Sequence, residues 1–305
     1  MNLCKLLSAT TQKLYETMET AKELEIDIQE ETLTELMLID LKLQVEKFGL
    51  NTTVIHANKN VEANTGADFL WFIGSKKTGR FTAFYIQAKK YSNKKYHLKH
   101  TYTRPKHGKI YDQVKNLIYT AENAVGFKAI PIYCFYNHLE DDTLKDSSYL
   151  KGFPKLDVKK ERFSFTYSCA YHVKSLLREV HQVRKGKTIY RSSFSFEDVK
   201  GLPIHTLFCP KSIEKKIIYP GAYGSFQTSH SILFLGRNNG MRYLVDPATY
   251  TMNKLPSYIK KLIGDNSFEQ EEVEEDIEEA IEQEDKINAR YVIVSYEDED
   301  QQDKS

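Results

Sequence analysis

The stretch that most constrains this chain is residues 128–136, KAIPIYCFY. It is almost continuously apolar, with no polar alternation to leave one face for water. It therefore reads as a strand buried on both faces, which needs paired neighbours and layers above and below. The preceding sequence offers both. Residues 66–90, GADFLWFIGSKKTGRFTAFYIQAKK, read as a β-hairpin: 68–73 is the first arm, 74–79 supplies turn residues, and 81–88 is the second arm. Residues 111–123 then place Val114, Leu117, Ile118 and Ala121 on one helical face. Hairpin, helix and buried strand make an α/β organisation with a mixed central sheet flanked by helices.

Ahead of the hairpin, residues 11–28 carry Leu14, Met18, Ala21 and Leu24 at helical spacing. A second helix is expected at 31–47, with Leu33, Leu36, Met37, Leu41 and Val45 as its apolar stripe and Glu31 and Glu35 sharing a face beside it. Asp40 falls within the apolar face and is read as a helix-edge residue bonded locally. A short strand at 51–57 and a polar loop at 58–65, carrying Glu62, lead into the hairpin. Beyond residue 140 the pattern predicts a helix at 169–180 and strands at 188–196, 231–234, 241–245 and 289–295. Val273, Ile277 and Ile281 make 271–283 an amphipathic acidic helix. The expected organisation is a core over 1–140, an α/β extension over 141–295 that continues or abuts it, and a disordered acidic tail over 296–305.

A formal net charge of +1 conceals strong segregation. Residues 69–111 hold eleven Lys or Arg and no acid, while 269–285 hold eleven acids and no base. An acid-free basic segment with interleaved Tyr91, Tyr96, Tyr102 and Tyr111 points to a polyanionic partner, the tyrosines being available to stack on bases. Lys94, Lys95, Lys99 and Arg104 are the candidates for phosphate contacts. Docking of the acidic helix on this basic loop would restrain it, although a solvated helix is the plainer reading. The four cysteines, Cys4, Cys134, Cys169 and Cys209, form no C-x-x-C pair and read as free thiols. No apolar run is long enough to span a bilayer and no signal peptide opens the chain, so a cytoplasmic protein without a membrane partner is expected. Pairs such as His205 with Cys209, or His230 with Asp246, lack a G-x-S-x-G context. His97, His100 and His107 are poorly spaced for zinc.

Within the hairpin, Asp68 opens the first arm and Gln87-Ala88-Lys89 closes the second. Antiparallel pairing brings them together across about twenty residues of sequence. A carboxylate, a carboxamide and an ammonium at the ends of paired strands can hold a divalent cation and a water beside a phosphate. Four segments stand in order: Glu30-Glu31-Thr32-Leu33-Thr34-Glu35, Gly66-Ala67-Asp68-Phe69-Leu70-Trp71-Phe72, Gln87-Ala88-Lys89 and Pro131-Ile132-Tyr133-Cys134-Phe135-Tyr136. Their order resembles the PD-(D/E)XK nuclease superfamily, and the Gln-x-Lys form resembles its Mrr-like branch. More closely still, it resembles an uncharacterised prokaryotic family, often found among phage-defence genes, with E-E-x-[ST]-D/E, GAD and QAK motifs. The likeness covers about residues 25–140, with an echo at Ser168-Cys169-Ala170.

The resemblance implies a restriction-endonuclease-like core with Mg²⁺ as cofactor, Mn²⁺ able to substitute, and phosphodiester hydrolysis in DNA ahead of RNA. Mg²⁺ takes oxygen ligands, polarises a phosphoryl oxygen and acidifies a bound water. By the same resemblance Asp68 is the principal ligand, with the Ala88 backbone carbonyl and Gln87. Glu31 first and Glu35 second would reach the metal or its waters. Lys89 would orient the attacking water and offset developing charge. Lys90 and Gln113 would face the nucleic acid. Gln87 stands where Asp or Glu is usual, which lowers the negative charge of the site. The alternatives are a catalytically inactive nucleic-acid-binding module and a structural subunit of a defence complex; a homodimer or such a complex would be the protein partner.

Overall fold

The computed structural model describes residues 3–57, 66–74, 79–103, 110–153, 156–184, 187–207, 247–264 and 289–296. In chain order, the first elements are α1 (Leu3–Glu23), α2 (Glu30–Phe48), β1 (Thr52–His56), β2 (Phe69–Gly74) and β3 (Phe81–Lys90). Next come β4 (Tyr96–His97), β5 (Thr101–Thr103), β6 (Ile110–Asp112), α3 (Gln113–Glu122), β7 (Ala129–Tyr136) and α4 (Asp141–Lys145). These are followed by β8 (Phe165–Cys169), α5 (Ala170–Leu176), β9 (Val180–Arg184), β10 (Lys187–Tyr190), β11 (Ser193–Phe194) and α6 (Phe196–Val199). The last are β12 (Leu202–Pro203), β13 (Thr251–Met252), α7 (Ser257–Leu262) and β14 (Tyr291–Tyr296). Lys160–Phe163 and Ile204–Leu207 are 3-10 turns.

The central sheet has eight strands in the order β1-β14-β2-β3-β7-β8-β12, with β13 on β3. β14 with β2 and β3 with β7 are parallel, and the other pairs are antiparallel, so the sheet is mixed. Every residue of β2 and β7 is buried, as their unbroken apolarity requires. Two contacts show the covering layers: Tyr136 Oη donates to Thr34 Oγ1 of α2, and Gln113 of α3 bonds Gln87 of β3. Tyr136 pairs with Lys90, and Gln87 with Tyr133, so the two contacts lie on opposite faces. The helices α2 and α3 therefore sandwich the sheet, which is the expected α/β class.

The sheet runs across the division at residue 140. Four of its eight strands, β8, β12, β13 and β14, come from beyond that point. β14 lies in the interior between β1 and β2, so the later segments complete the core. This strand runs through Tyr296, one residue into the expected tail. Expected strands at 231–234 and 241–245, the acidic helix and the rest of the tail lie outside the described residues. The strand expected at 188–196 is divided between β10 and β11.

On α2 the expected stripe is rotated. Leu36 is exposed, with Ile39 and Leu43, whereas Leu33, Thr34, Met37, Leu38, Leu41 and Val45 are buried. Asp40 is buried too, and its bonds are not local. It accepts from Thr10 Oγ1 at 3.0 Å and Lys13 Nζ at 2.5 Å, both on α1. A buried carboxylate needs such partners, and here they dock one helix on the other. Cys134 and Cys169 are buried free thiols, but Cys4 is disulfide-bonded, against the expectation. Among the described residues no helix is long and apolar enough to cross a membrane.

Cys209 lies outside the described residues, and His205, within Ile204–Leu207, is buried. Burial, with Arg162 nearby, pushes its pKa from 6.5 down to about 4. The unfolded chain therefore takes up a proton between those values that the folded chain refuses. Stability is full above pH 6.5 and is lost as pH falls towards 4, by about 3 kcal/mol from this one group. Urea denaturation of the wild type and His205→Phe across pH 4–7.5 should give a shallower acid loss in the variant. Parallel curves would refute the assignment.

Candidate active site

The site is built on a mismatch in strand length. β2 begins at Phe69, paired with Ile86, and Asp68 N donates to Ile86 O at 2.8 Å. β3 runs on through Lys90, so the edge of Ala88 and Lys90 that faces β2 outlasts its partner strand. Buried backbone groups must still be satisfied. Asp68 Oδ2 accepts the Ala88 N–H at 2.5 Å, and Glu30 Oε2 accepts the Lys90 N–H at 2.9 Å. Two carboxylates thus stand along one strand edge, two residues apart, in charge-assisted bonds. The other Glu30 oxygen accepts from Lys89 Nζ at 2.9 Å.

Asp68 is held from behind as well. Its carbonyl accepts the Arg290 and Tyr291 N–H groups, each at 3.2 Å, where β14 begins. Arg290 Nη2 in turn donates to Glu35 Oε1 at 2.6 Å. Glu35 therefore ties α2 to the start of β14, through an arginine whose backbone is bonded to Asp68. Glu31 is exposed. The helix carboxylate beside Lys89 is Glu30, which sequence reasoning passed over. The signal was present: Glu30, Thr34, Met37 and Leu41 are spaced i, i+4, i+7 and i+11 on one face. Counting Leu36 as buried rotated that face towards Glu31 and Glu35.

Gln87 and Gln113 form the floor, both buried. Gln87 Nε2 donates to Asp68 Oδ2 at 2.6 Å and to Ala88 O at 3.1 Å. Gln113 Nε2 donates to Gln87 Oε1 at 2.9 Å. Gln113 is therefore committed to the interior and does not face a nucleic acid. Asp112 starts α3 at this point, its side chain accepting the Lys115 N–H. Gly66 lets the loop approach: its φ is +71°, and a Cβ there would sit 2.7 Å from Gln113 O. Burial first, then the charge of Asp68, hold the Cys134 thiol well above its usual range.

The expected nucleic-acid residues divide. Lys90 pairs with Asp27, whose carboxyl is held below its ordinary value by that hydrogen bond and charge. Lys94 lies 3.5 Å from Glu140, both exposed. Lys95 and Lys99 are exposed, and Arg104 lies outside the described residues. The segment after β3 is not an open loop. Ser92 and Lys95 exchange backbone bonds around Asn93 and Lys94, both at positive φ, a tight turn. Tyr96 is fully buried, donating to Asn137 Oδ1 at 2.5 Å, and Tyr91 packs on its ring. Tyr96 therefore cannot stack on bases; β4 pairs with β11, which helps to bury it.

Among the described residues no group of three His, Cys, Asp or Glu could hold a metal. A cation here would rely on Asp68, the Ala88 carbonyl and a carboxamide oxygen, a hard-oxygen set that suits Mg²⁺. As arranged, Gln87 turns its amino group, not its oxygen, towards Asp68 and Ala88. Asp68 and the Ala88 carbonyl both accept from that amino group, so the three oxygens would be open to a cation only on rotation of the Gln87 amide.

A Cβ at position 66 would meet both the left-handed backbone and Gln113 O. Gly66→Ala is expected to lower stability by about 1–3 kcal/mol in urea denaturation. A change within 0.5 kcal/mol would mean the contact is dispensable.

No curated protein matches the chain. One family, described as a family of unknown function (DUF6615), matches over residues 3–300, a span that holds every described element and the whole of this site, and the chain accordingly belongs to DUF6615.

Proposed function

We propose that this chain is a metal-dependent nuclease of PD-(D/E)XK type that hydrolyses phosphodiester bonds, with DNA ahead of RNA as substrate and foreign DNA in the cytoplasm as its target. One observation carries the reading. Asp68, the Ala88 carbonyl, Gln87, Lys89 and Glu30 converge where β3 outlasts β2, on groups tied to one another at 2.5–3.1 Å. The resemblance of the Gly66-Ala67-Asp68 and Gln87-Ala88-Lys89 motifs supplies the reaction class.

In this reading Asp68 and the Ala88 carbonyl hold the metal, with Gln87 as a neutral third ligand. Bound Mg²⁺ supplies Lewis-acid polarisation of a phosphoryl oxygen and a lowered pKa for water. Lys89 Nζ stands between Glu30 and the strand end, where it positions a water and offsets charge developing on phosphate. Glu30 orients Lys89 and fixes the backbone at Lys90. Lys95 and Lys99 offer exposed charge to the phosphate backbone, with Lys94 and Lys90 available after exchange of their carboxylate partners.

A second reading, a catalytically silent nucleic-acid-binding module, is favoured by the amide donor that Gln87 presents to Asp68. Plasmid cleavage with Mg²⁺ or Mn²⁺ separates the two. Asp68→Ala and Lys89→Ala are each expected to slow cleavage by about 10²–10³-fold. Glu30→Gln should slow it by about tenfold or more, whereas Glu31→Gln should stay within about twofold of wild type. Undiminished cleavage by Asp68→Ala would sink the site. DNA binding without cleavage by the wild type would establish the second reading.

A further inference from the structure

We infer that the β9–β10 hairpin is an arm that enters a groove of double-stranded nucleic acid; this rests on the nucleic-acid reading proposed above. The two strands form a sheet of their own, apart from the central eight. Their register sets Lys187 opposite Arg184, Thr188 opposite Val183 and Ile189 opposite Gln182. Opposed residues share a face of such a ribbon, and successive ones alternate between faces. Val183 and Thr188 are exposed on one face and Ile189 on the other. With both faces open to water, the ribbon stands clear of the core.

A lone pair of strands is marginally stable at best in water, so this one needs a fixed base. Arg191 provides it. Its N–H donates to Glu179 O at 3.1 Å. Its guanidinium donates to Asp198 Oδ1 at 3.0 Å, lies 3.6 Å from Glu179 Oε2 and sits 4.8 Å from the centre of the Phe194 ring. Glu179, the acid that directly precedes β9, is thereby engaged. Beyond it, residues 180–190 hold three Lys or Arg and no acid.

Charge and apolarity together point to the ligand. Val183 is 67% exposed and Tyr190 47%, so apolar and aromatic surface is left in water beside cationic positions. Arg184 and Lys187 are paired next to the turn at 185–186, which lies outside the described residues. A polyanion that alternates phosphates with flat apolar bases suits that mixture. Cations neutralise phosphates, while apolar side chains meet base edges and thymine methyl groups. The dimensions agree. Strands stand about 5 Å apart, and a two-stranded ribbon fits the major groove of DNA, about 12 Å wide. β9, with five residues, is about 16 Å long, enough to lie along that groove.

The pairing of β11 with β4 sets the arm beside the candidate site. Ser193, which follows closely on Tyr190, is paired with His97. β4 itself follows β3 by the tight turn that carries exposed Lys94 and Lys95, and exposed Lys99 comes just after His97. The arm and these lysines thus share one root, at the end of β3 where the Asp68 and Lys89 contacts lie. A duplex seated on the arm therefore has the basic segment as its neighbour.

The test is fluorescence anisotropy of a short labelled DNA duplex with the full chain in EDTA, which prevents metal-dependent cleavage, over a series of salt concentrations. Arg184→Gln/Lys187→Gln is expected to bind about tenfold more weakly at about 0.1 M salt. It should also lower the slope of log K against log salt by about 1.8, for two phosphate contacts at ~0.9 each. Lys22→Gln/Lys42→Gln, which removes the same charge from exposed helix positions, should leave the slope within about 0.5 of wild type. In the wild type, amide hydrogen exchange over residues 180–190 should slow when the duplex is added. An unchanged slope in the ribbon variant would overturn the arm and leave the nuclease reading standing. So would unaltered exchange over 180–190, which decides the matter if that variant fails to fold. A variant that binds DNA as wild type but sediments differently would assign the ribbon to a protein contact instead. Failure of the wild type to bind duplex or single-stranded DNA or RNA would overturn both readings.

Discussion

Two backbone N–H groups on one strand edge, those of Ala88 and Lys90, govern the arrangement of this molecule. They are left over because β3 is longer than β2, and they lie where water does not freely compensate them. An unpaired buried N–H costs free energy comparable to a lost hydrogen bond, so the fold must deliver acceptors to that spot. It delivers carboxylates: Asp68 from the end of the neighbouring strand and Glu30 from the first turn of α2. The same structural need that closes the sheet edge thus concentrates negative charge there. Lys89, between the two N–H groups, answers that charge through Glu30. Structural satisfaction and candidate chemistry are one set of contacts.

The rest of the fold can be followed outward from this edge. The Asp68 carbonyl is bound by β14, and α2 is bound to the same strand through Glu35 and Arg290. α3 is seated by Gly66 and by Gln113 on Gln87. Farther out, Glu197 accepts from Ser147 Oγ at 2.7 Å and from the Ser148 and Tyr149 N–H groups, each at 3.1 Å. Backbone and side-chain donors together hold the Glu197 carboxyl below its ordinary pKa, against the opposing effect of burial. Asp198 does similar duty for Arg191 and for the Ser195 cap. Several carboxylates of this chain thus serve as joints between elements.

Which parts were legible in the sequence follows from the range of the interactions involved. The β2–β3 hairpin, α3 and the buried β7 are set by local periodicity and apolarity, so their patterns predict them within a residue or two. Asp68, Gln87 and Lys89 could be placed together because hairpin register is a local rule. Glu30 could not, because a helix stripe misjudged at Leu36 turns every neighbouring side chain by one position. Gln113 read as a surface glutamine because nothing in its helix reveals which polar residue a strand will demand. The burial of Tyr96 depends on Asn137 and β11, and the setting of β14 depends on pairing across most of the chain. Neither leaves a local trace.

The parallel pairing of Tyr291 with Phe69 also fixes when the site comes into being. Contacts between such distant positions form late, since the loop they close is long and its closure entropy must be met first. On a ribosome, the hairpin, α3 and β7 emerge well before residues 290 and 291 are available to bind the Asp68 carbonyl. The described geometry at Asp68 therefore belongs to a chain already synthesised through β14. A chain stopped short of β14 would lack both N–H groups that fix the Asp68 carbonyl, so the last strand completes the setting of a residue more than two hundred positions earlier.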